Sequence, residues 1–210
     1  MANYPTFQSV TATDFGVDAT SHLANYPATV TVGDLLVGFA AFDSAANITT
    51  PTGWTLLFHD DNAVLVVGTY IKMAAGTEGG TTVDFVTSAS QSGTVQIYRV
   101  TNWLGDLNGI GMARGAVPAA GTLSLGLRMT YGIQDYLWIM SQNKSTVTAF
   151  GAGDGGWTGS TTSGQDSSGG AAIASAYKSD TVACEVSFTS WLAASTQIWL
   201  MVGIPPVGAS

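Results

Sequence analysis

The sequence predicts an all-β protein: a single β-sandwich, jelly-roll-like, built from two similar halves. Three observations carry that prediction. No window keeps apolar residues at i, i+3, i+4 and i+7 for three turns without a Gly, a Pro or a β-branched cluster breaking it. Short apolar runs rich in Val, Ile, Thr and aromatics recur along the chain, with turn residues between them. The run TVQIYRV (94–100) also returns, about a hundred residues later, as TQIWLMV (196–202).

In chain order the predicted strands are DLLVGFAAF (34–42), WTLLF (54–58), AVLVVGTYIKM (63–73), TTVDFV (81–86) and TVQIYRV (94–100). The second set is TLSLGL (122–127), DYLWIMS (135–141), STVTAF (145–150), AAIASAYK (171–178), VACEVSF (182–188) and TQIWLMV (196–202). Several are apolar at successive positions, as strands buried between two layers must be. HDDN (59–62), AAGTEGG (74–80), SASQSG (88–93) and KSD (178–180) supply the turns.

The echo extends beyond one strand. Asp34 and Asp135 each open a strand, Trp54 and Trp157 each follow a Gly, and Lys72 and Lys178 each end a strand. VDF (83–85) matches VSF (186–188), and Gln96-Ile97-Tyr98 matches Gln197-Ile198-Trp199. The offsets are 101, 103, 106, 103 and 101, which reads as an internal duplication. The halves span about 20–102 and 122–204, with 103–121 as the crossover, in one domain over 1–210. A lone sheet cannot cover its own apolar face, so the halves are expected to close on a shared core.

Composition bounds the function. Charged residues are 10% of the chain, against about 25% in an average globular protein. Net charge is −8 with only six Lys and Arg together, which disfavours nucleic acid and anionic membranes as partners. MANYPTFQSV shows neither a basic n-region nor an apolar h-region, so no secretory signal is expected. The runs LLVGFAAF and AVLVVGTYI are of strand length, and no membrane insertion is expected. Cys184 is the sole cysteine and alternates with Val182, Val186 and Phe188, the pattern of a small buried hydrophobe. The composition suits an exterior surface, yet nothing marks the chain for export. A virion component made in the host cytoplasm and released by lysis reconciles the two.

Particular segments sharpen this. SHLANYPATVTVGDLLVGFAAFD (21–43), ITTPTGWTLL (48–57), VVGTYIKMAAGTEGGTTVDFV (66–86) and GTVQIYRV (93–100) resemble a virion-associated β-sandwich family of phage and metagenomic viral genomes. The matching positions are His22, Pro27, Gly33–Val37, Pro51–Trp54 and Tyr70–Lys72; in the second half DGGW (154–157) lacks the Pro. The resemblance implies a capsid decoration, tail or fibre component, and supplies no catalytic residue. The expected function is a non-enzymatic capsid decoration or cement protein on the outer phage head. The alternative is a tail- or fibre-associated receptor or glycan-binding module, and a glycan-cleaving enzyme is the third reading. Partners are other virion proteins, above all the major capsid protein, with self-association and a host surface glycan as further options.

No constellation of reactive residues stands out. Asp60 and Asp61 are adjacent and lack calcium-loop spacing, so HDDN reads as a solvated hairpin turn. His22 and His59 have no second ligand at metal spacing and read as turn or edge residues. No G-x-S-x-G elbow occurs. No cofactor, metal or catalytic residue is therefore expected. The Gly/Ser/Thr stretch 151–170 is long for a loop in a compact domain. It is either a flexible connection with Trp157 tucked against the sandwich, or an arm touching a neighbouring subunit through Asp154, Trp157, Thr158 and Asp166. Sugar stacking on Trp157 or Trp103 is a variant of the second reading.

Overall fold

The computed structural model describes residues 4–43, 47–62, 64–117, 122–144, 157–164, 171–182, 184–189 and 197–209. The first half supplies strands β1 (Thr6–Asn25), β2 (Leu35–Asp43), β3 (Ile48–Thr49), β4 (Thr55–Asn62), β5 (Leu65–Met73) and β6 (Thr82–Thr101). They form one antiparallel sheet in the order β1-β6-β2-β5-β4, with β3 on β6. A 3-10 turn, Leu107–Gly109, leads into β7 (Gly111–Val117) and β8 (Thr122–Arg128). These are followed by β9 (Gln134–Lys144), β10 (Thr158–Gly164), β11 (Ala172–Val182), β12 (Cys184–Thr189) and β13 (Gln197–Ile204). The second sheet runs β10-β11-β9-β13-β7, and β8 pairs with β12. The protein is an all-β sandwich of two antiparallel sheets. Successive strands stay within their own half's sheet instead of crossing repeatedly between layers.

Both sheets are covered on both faces, which explains strands with no polar side. In β2, Leu35, Val37, Phe39 and Ala41 point between the sheets and meet Leu137, Ile139, Ile173, Leu200 and Val202. Leu36, Ala40 and Phe42 point outward into a second core with Trp54, Tyr70 and Phe85. The cover over that outer core is a folded-back part of the same sheet. β1 pairs with β6 in two stretches, Thr6–Phe15 and Ser21–Asn25, separated by register shifts between Phe15 and Ala19 and between Ala19 and Ser21. The Asn25 N–H donates to Thr13 Oγ1 at 3.0 Å. Twelve residues of straight strand would hold those groups about 40 Å apart, so β1 turns back sharply at the shift. The second half repeats the device: Leu127 and Met129, on and just after β8, join Tyr136, Trp138, Met140, Trp199 and Met201 in a third core.

The two sheets have the same strand order once β1 is matched with β7 and β8, and β6 with β12 and β13. They also face each other with the order reversed. Phe7 of β1 stacks on Tyr177 of β11 at 4.1 Å, at one edge of the sandwich. At the other edge Asp60 of β4 pairs with Arg114 of β7 at 3.2 Å. Gln96 reaches Ile173, Tyr98 reaches Ser175, and Phe7, beside Val100, reaches Tyr177. β6 and β11 therefore rise in the same direction, and the halves are related by a pseudo-two-fold axis along the strands.

Sequence and structure differ in several respects. SASQSG (88–93) lies within β6 and KSD (178–180) within β11, so neither is a turn. Two further differences concern strands and faces. Strand pairing begins at Thr6 and again at Gly111, so β1 opens ahead of residue 20, and the stretch 103–121 carries β7. Both are sheet-edge strands of small or polar residues, with one side toward solvent and little apolar signal. The second difference is one of face. Ile97 and Trp199 point outward while Tyr98 and Ile198 point between the sheets. The motif thus matches an outward Ile97 with an inward Ile198, so the echoed triplets are not equivalent in space. At Lys72 and Lys178 the facing is kept, with Ile71 and Tyr177 both on the shared core.

Candidate interaction surfaces and buried polar sites

The residues singled out by their motifs lock together the loops at the end where β2 begins. Gly33 takes a φ of 84°, where a side chain is strained. This lets the Asp34 carboxylate accept the Thr31 N–H at 2.7 Å and Arg99 Nε at 2.6 Å. Gly53, with φ of 79°, closes the Pro51–Trp54 turn, where the Trp54 N–H donates to the Pro51 carbonyl at 3.1 Å. The Trp54 indole then donates to Tyr26 OH at 3.2 Å and stacks on that ring. Lys72 lies 3.0 Å from Glu78 and above the Tyr26 ring. Glu78 is 5% exposed. Burial alone would raise its pKa, but the N–H groups of Ala75, Gly76 and Thr77, at 2.9–3.0 Å, and the Lys72 ammonium outweigh that. Its carboxyl is held at about 2.

A second polar group, not foreseen from sequence, sits between the sheets. Gln96 Nε2 donates to Ser163 Oγ at 2.8 Å and to the Ile173 carbonyl at 3.2 Å. Ser175 Oγ donates to Gln96 Oε1 and also meets Tyr98 OH. Thr94 Oγ1 donates to Ser163 Oγ at 2.8 Å. All five side chains are buried, so the seam ties β6 to β10 and β11 without meeting solvent. Only the Gln96 position in the repeated strand hinted at it; its partners lie 67 to 79 residues away.

The predicted site residues do not converge. Trp157 is half-buried and packs on the outer core of the second sheet, the counterpart of Trp54 in the first. Thr158 is exposed, and its hydroxyl donates to the Tyr177 carbonyl at 3.3 Å. Asp154, Asp166, the predicted strand 145–150 and the side chain of Cys184 lie outside the described residues. Trp103 is buried, its indole donating to the Gly33 carbonyl at 2.8 Å, so it offers no face to a sugar.

His22 lies on the edge strand β1, as one of the two expectations had it, but it is buried. Its ring is buried between Phe15 and Phe42, with Nε2 3.1 Å from Thr87 Oγ1. Burial lowers its pKa, against the pull of the Asp84 carboxylate. Thr87 donates its own proton to the Ala89 carbonyl at 2.8 Å, and the pair is sealed from substrate. HDDN is the last stretch of edge strand β4 and not a turn, because Asp60, Asp61 and Asn62 pair with Val67, Val66 and Leu65. Asp60, Arg114, Gly115 and Ile198 line a cleft of about 280 Å³ at the β4–β7 edge. Arg114 lies over the Phe58 ring there, while Asp61 turns to solvent. Lys144 is wholly buried, and desolvation brings its ammonium down to about 8. Among the described residues no three His, Cys, Asp or Glu converge as metal ligands, and no helix is long and apolar enough to cross a membrane.

No family model matches the chain, and no curated protein matches it. Among solved structures, the crystal structure of Cucumber Necrosis Virus is similar at 10% identity. The match covers 95% of this chain and 97% of that one, with a TM-score of 0.28.

Proposed function

We propose that the chain is a non-enzymatic structural protein of a bacteriophage virion, decorating or cementing the outer head surface against the major capsid protein. The observation that carries this reading is the use made of the residues behind the family resemblance. Asp34, Trp54 and Lys72 spend their polar side chains on bonds within the fold, and His22 is buried with Nε2 against Thr87. They build a doubly covered sandwich, and these motif residues serve as its internal fastenings. The charge-poor exterior suits a protein whose surface is occupied by neighbours. Mass spectrometry of purified virions tests the proposal. Copy number comparable with the major capsid protein is expected, and absence from the particle overturns it. Low copy number together with binding to host cells would favour the tail or fibre reading instead.

A further inference from the structure

β6 folds back together with β1. Its residues 93–100 lie in the main sheet beside β2, while Thr82–Val86 pair with Ser21–Asn25 in a flap over the outer core. Ile48 and Thr49 widen the flap by pairing with Thr87 and Val86. Between flap and main sheet, Ala19 and Gln91 form the one pair in register. His22 is carried on the flap, with its ring centred 4.4 Å from that of Phe42 on β2 and 5.0 Å from that of Phe15 at the bend. Its bonding fixes where the proton sits. Thr87 Oγ1 gives its single hydrogen to the Ala89 carbonyl at 2.8 Å, so the 3.1 Å contact is donated by His22 Nε2–H. Nδ1 is then the bare nitrogen, buried and without a hydrogen-bond partner among the described residues. Charging the ring places a second N–H there, with nothing to accept it.

We propose that this flap is an acid-released cover and that His22 is its latch: when the ring takes up a proton the flap opens, while the two sheets stay packed. The charged groups on the elements around the ring are Asp84 on β6, Asp43 at the end of β2, and the exposed Asp14 and Asp18 on β1. β3 has none, and Arg99 of β6 is held by Asp34 at the far end of that strand. Asp84 favours a charged ring, but its carboxylate accepts the His22 backbone N–H and the Ser21 hydroxyl, each at 2.8 Å, and not Nδ1. Burial outweighs its pull. An open flap gives Nδ1 to water and returns the ring to its ordinary value of 6.5. Below that pH the open form binds a proton that the closed form refuses, so acid favours opening by up to about tenfold per pH unit. Opening is local because the ring touches the flap and the outer core, whereas the shared core and the Gln96 seam lie on the other face of the sheet. The released flap carries Ala24, Val83 and Phe85, so acid uncovers an apolar surface that neutral pH conceals. The proposal stands apart from the virion reading.

Hydrogen exchange of the full chain, read by mass spectrometry and corrected for the intrinsic pH dependence of exchange, tests it. Between about pH 7 and about pH 5, amides of residues 19–25 and 82–87 should lose protection by about tenfold, while those of 137–142 and 198–202 keep theirs. His22→Gln retains a side-chain donor for Thr87 but cannot take up a proton, and should abolish the difference between the two pH values. His59, the other histidine, has a buried Nε2 on β4 and is the rival trigger. His59→Gln should leave the response intact. Should His22→Gln not fold, an NMR titration of the parent decides, since the His22 ring and the flap amides must share one midpoint. Flap protection unchanged by acid, a loss shared by both sheets, or separate midpoints would overturn the proposal. So would a response that survives His22→Gln or disappears with His59→Gln.

Discussion

Replacing Glu78 by Gln removes a single charge from the centre of the 74–80 loop while keeping the shape of the side chain. In the folded protein the carboxyl titrates at about 2, against an ordinary value of 4.5. At about 1.4 kcal/mol per unit, the difference corresponds to about 3 kcal/mol of stability. The sign follows from proton binding. Between those two values the unfolded chain takes up a proton that the folded chain refuses, so acid favours unfolding. The contribution is whole above pH 4.5 and is lost as pH falls toward 2. Urea unfolding of the parent and Glu78→Gln across that range should therefore give two curves of different slope. At pH 7 the variant should be about 3 kcal/mol less stable, because the Lys72 ammonium and three loop N–H groups lose their anion. At pH 2 the gap should nearly close. Parallel curves, or a gap that persists in acid, would refute the assignment of that stability to the Glu78 carboxylate.

His22 contributes with the same sign and in a higher window. Its folded pKa lies below 6.5, so stability should fall as pH drops below that value, and His22→Gln should flatten that part of the profile. Gln96→Ala should cost about 1–3 kcal/mol in chemical denaturation, because Ser163, Ser175 and the Ile173 carbonyl lose a buried partner. A cost within error would mean that the seam is not closed to water. Gly93→Ala would place a methyl group 2.4 Å from the Ala41 carbonyl and 2.9 Å from Phe42 Cα, where backbone must move. It should destabilise by about 1–3 kcal/mol or more, and a neutral melt would argue against the β6–β2 register.

Strand composition and turn spacing made the all-β class legible, and the recurrence of Asp, Trp, Lys and Gln-Ile marked out two halves. Those signals are local, since period, turn chemistry and repetition need no knowledge of what lies across the core. The edge strands β1 and β7 escaped notice because half-solvated strands of small and polar residues carry little apolar pattern. The burial of His22 on its edge strand was not foreseen for a related reason: the flap that buries it exists only because β1 turns back on its own sheet.

The sequence by itself determined the strand content and the scarcity of charge. Only the tertiary structure decided which face each strand presents: a shift of one residue in register reverses every side chain, and the matched Ile97 and Ile198 lie on opposite sides of their sheets. It also decided that the motif residues serve as internal fastenings, with Lys72 on Glu78, Arg99 on Asp34 and Trp54 on Tyr26. Their partners come from separate strands and loops, and distance in space between such segments is set by the packing of two sheets, which no local pattern records.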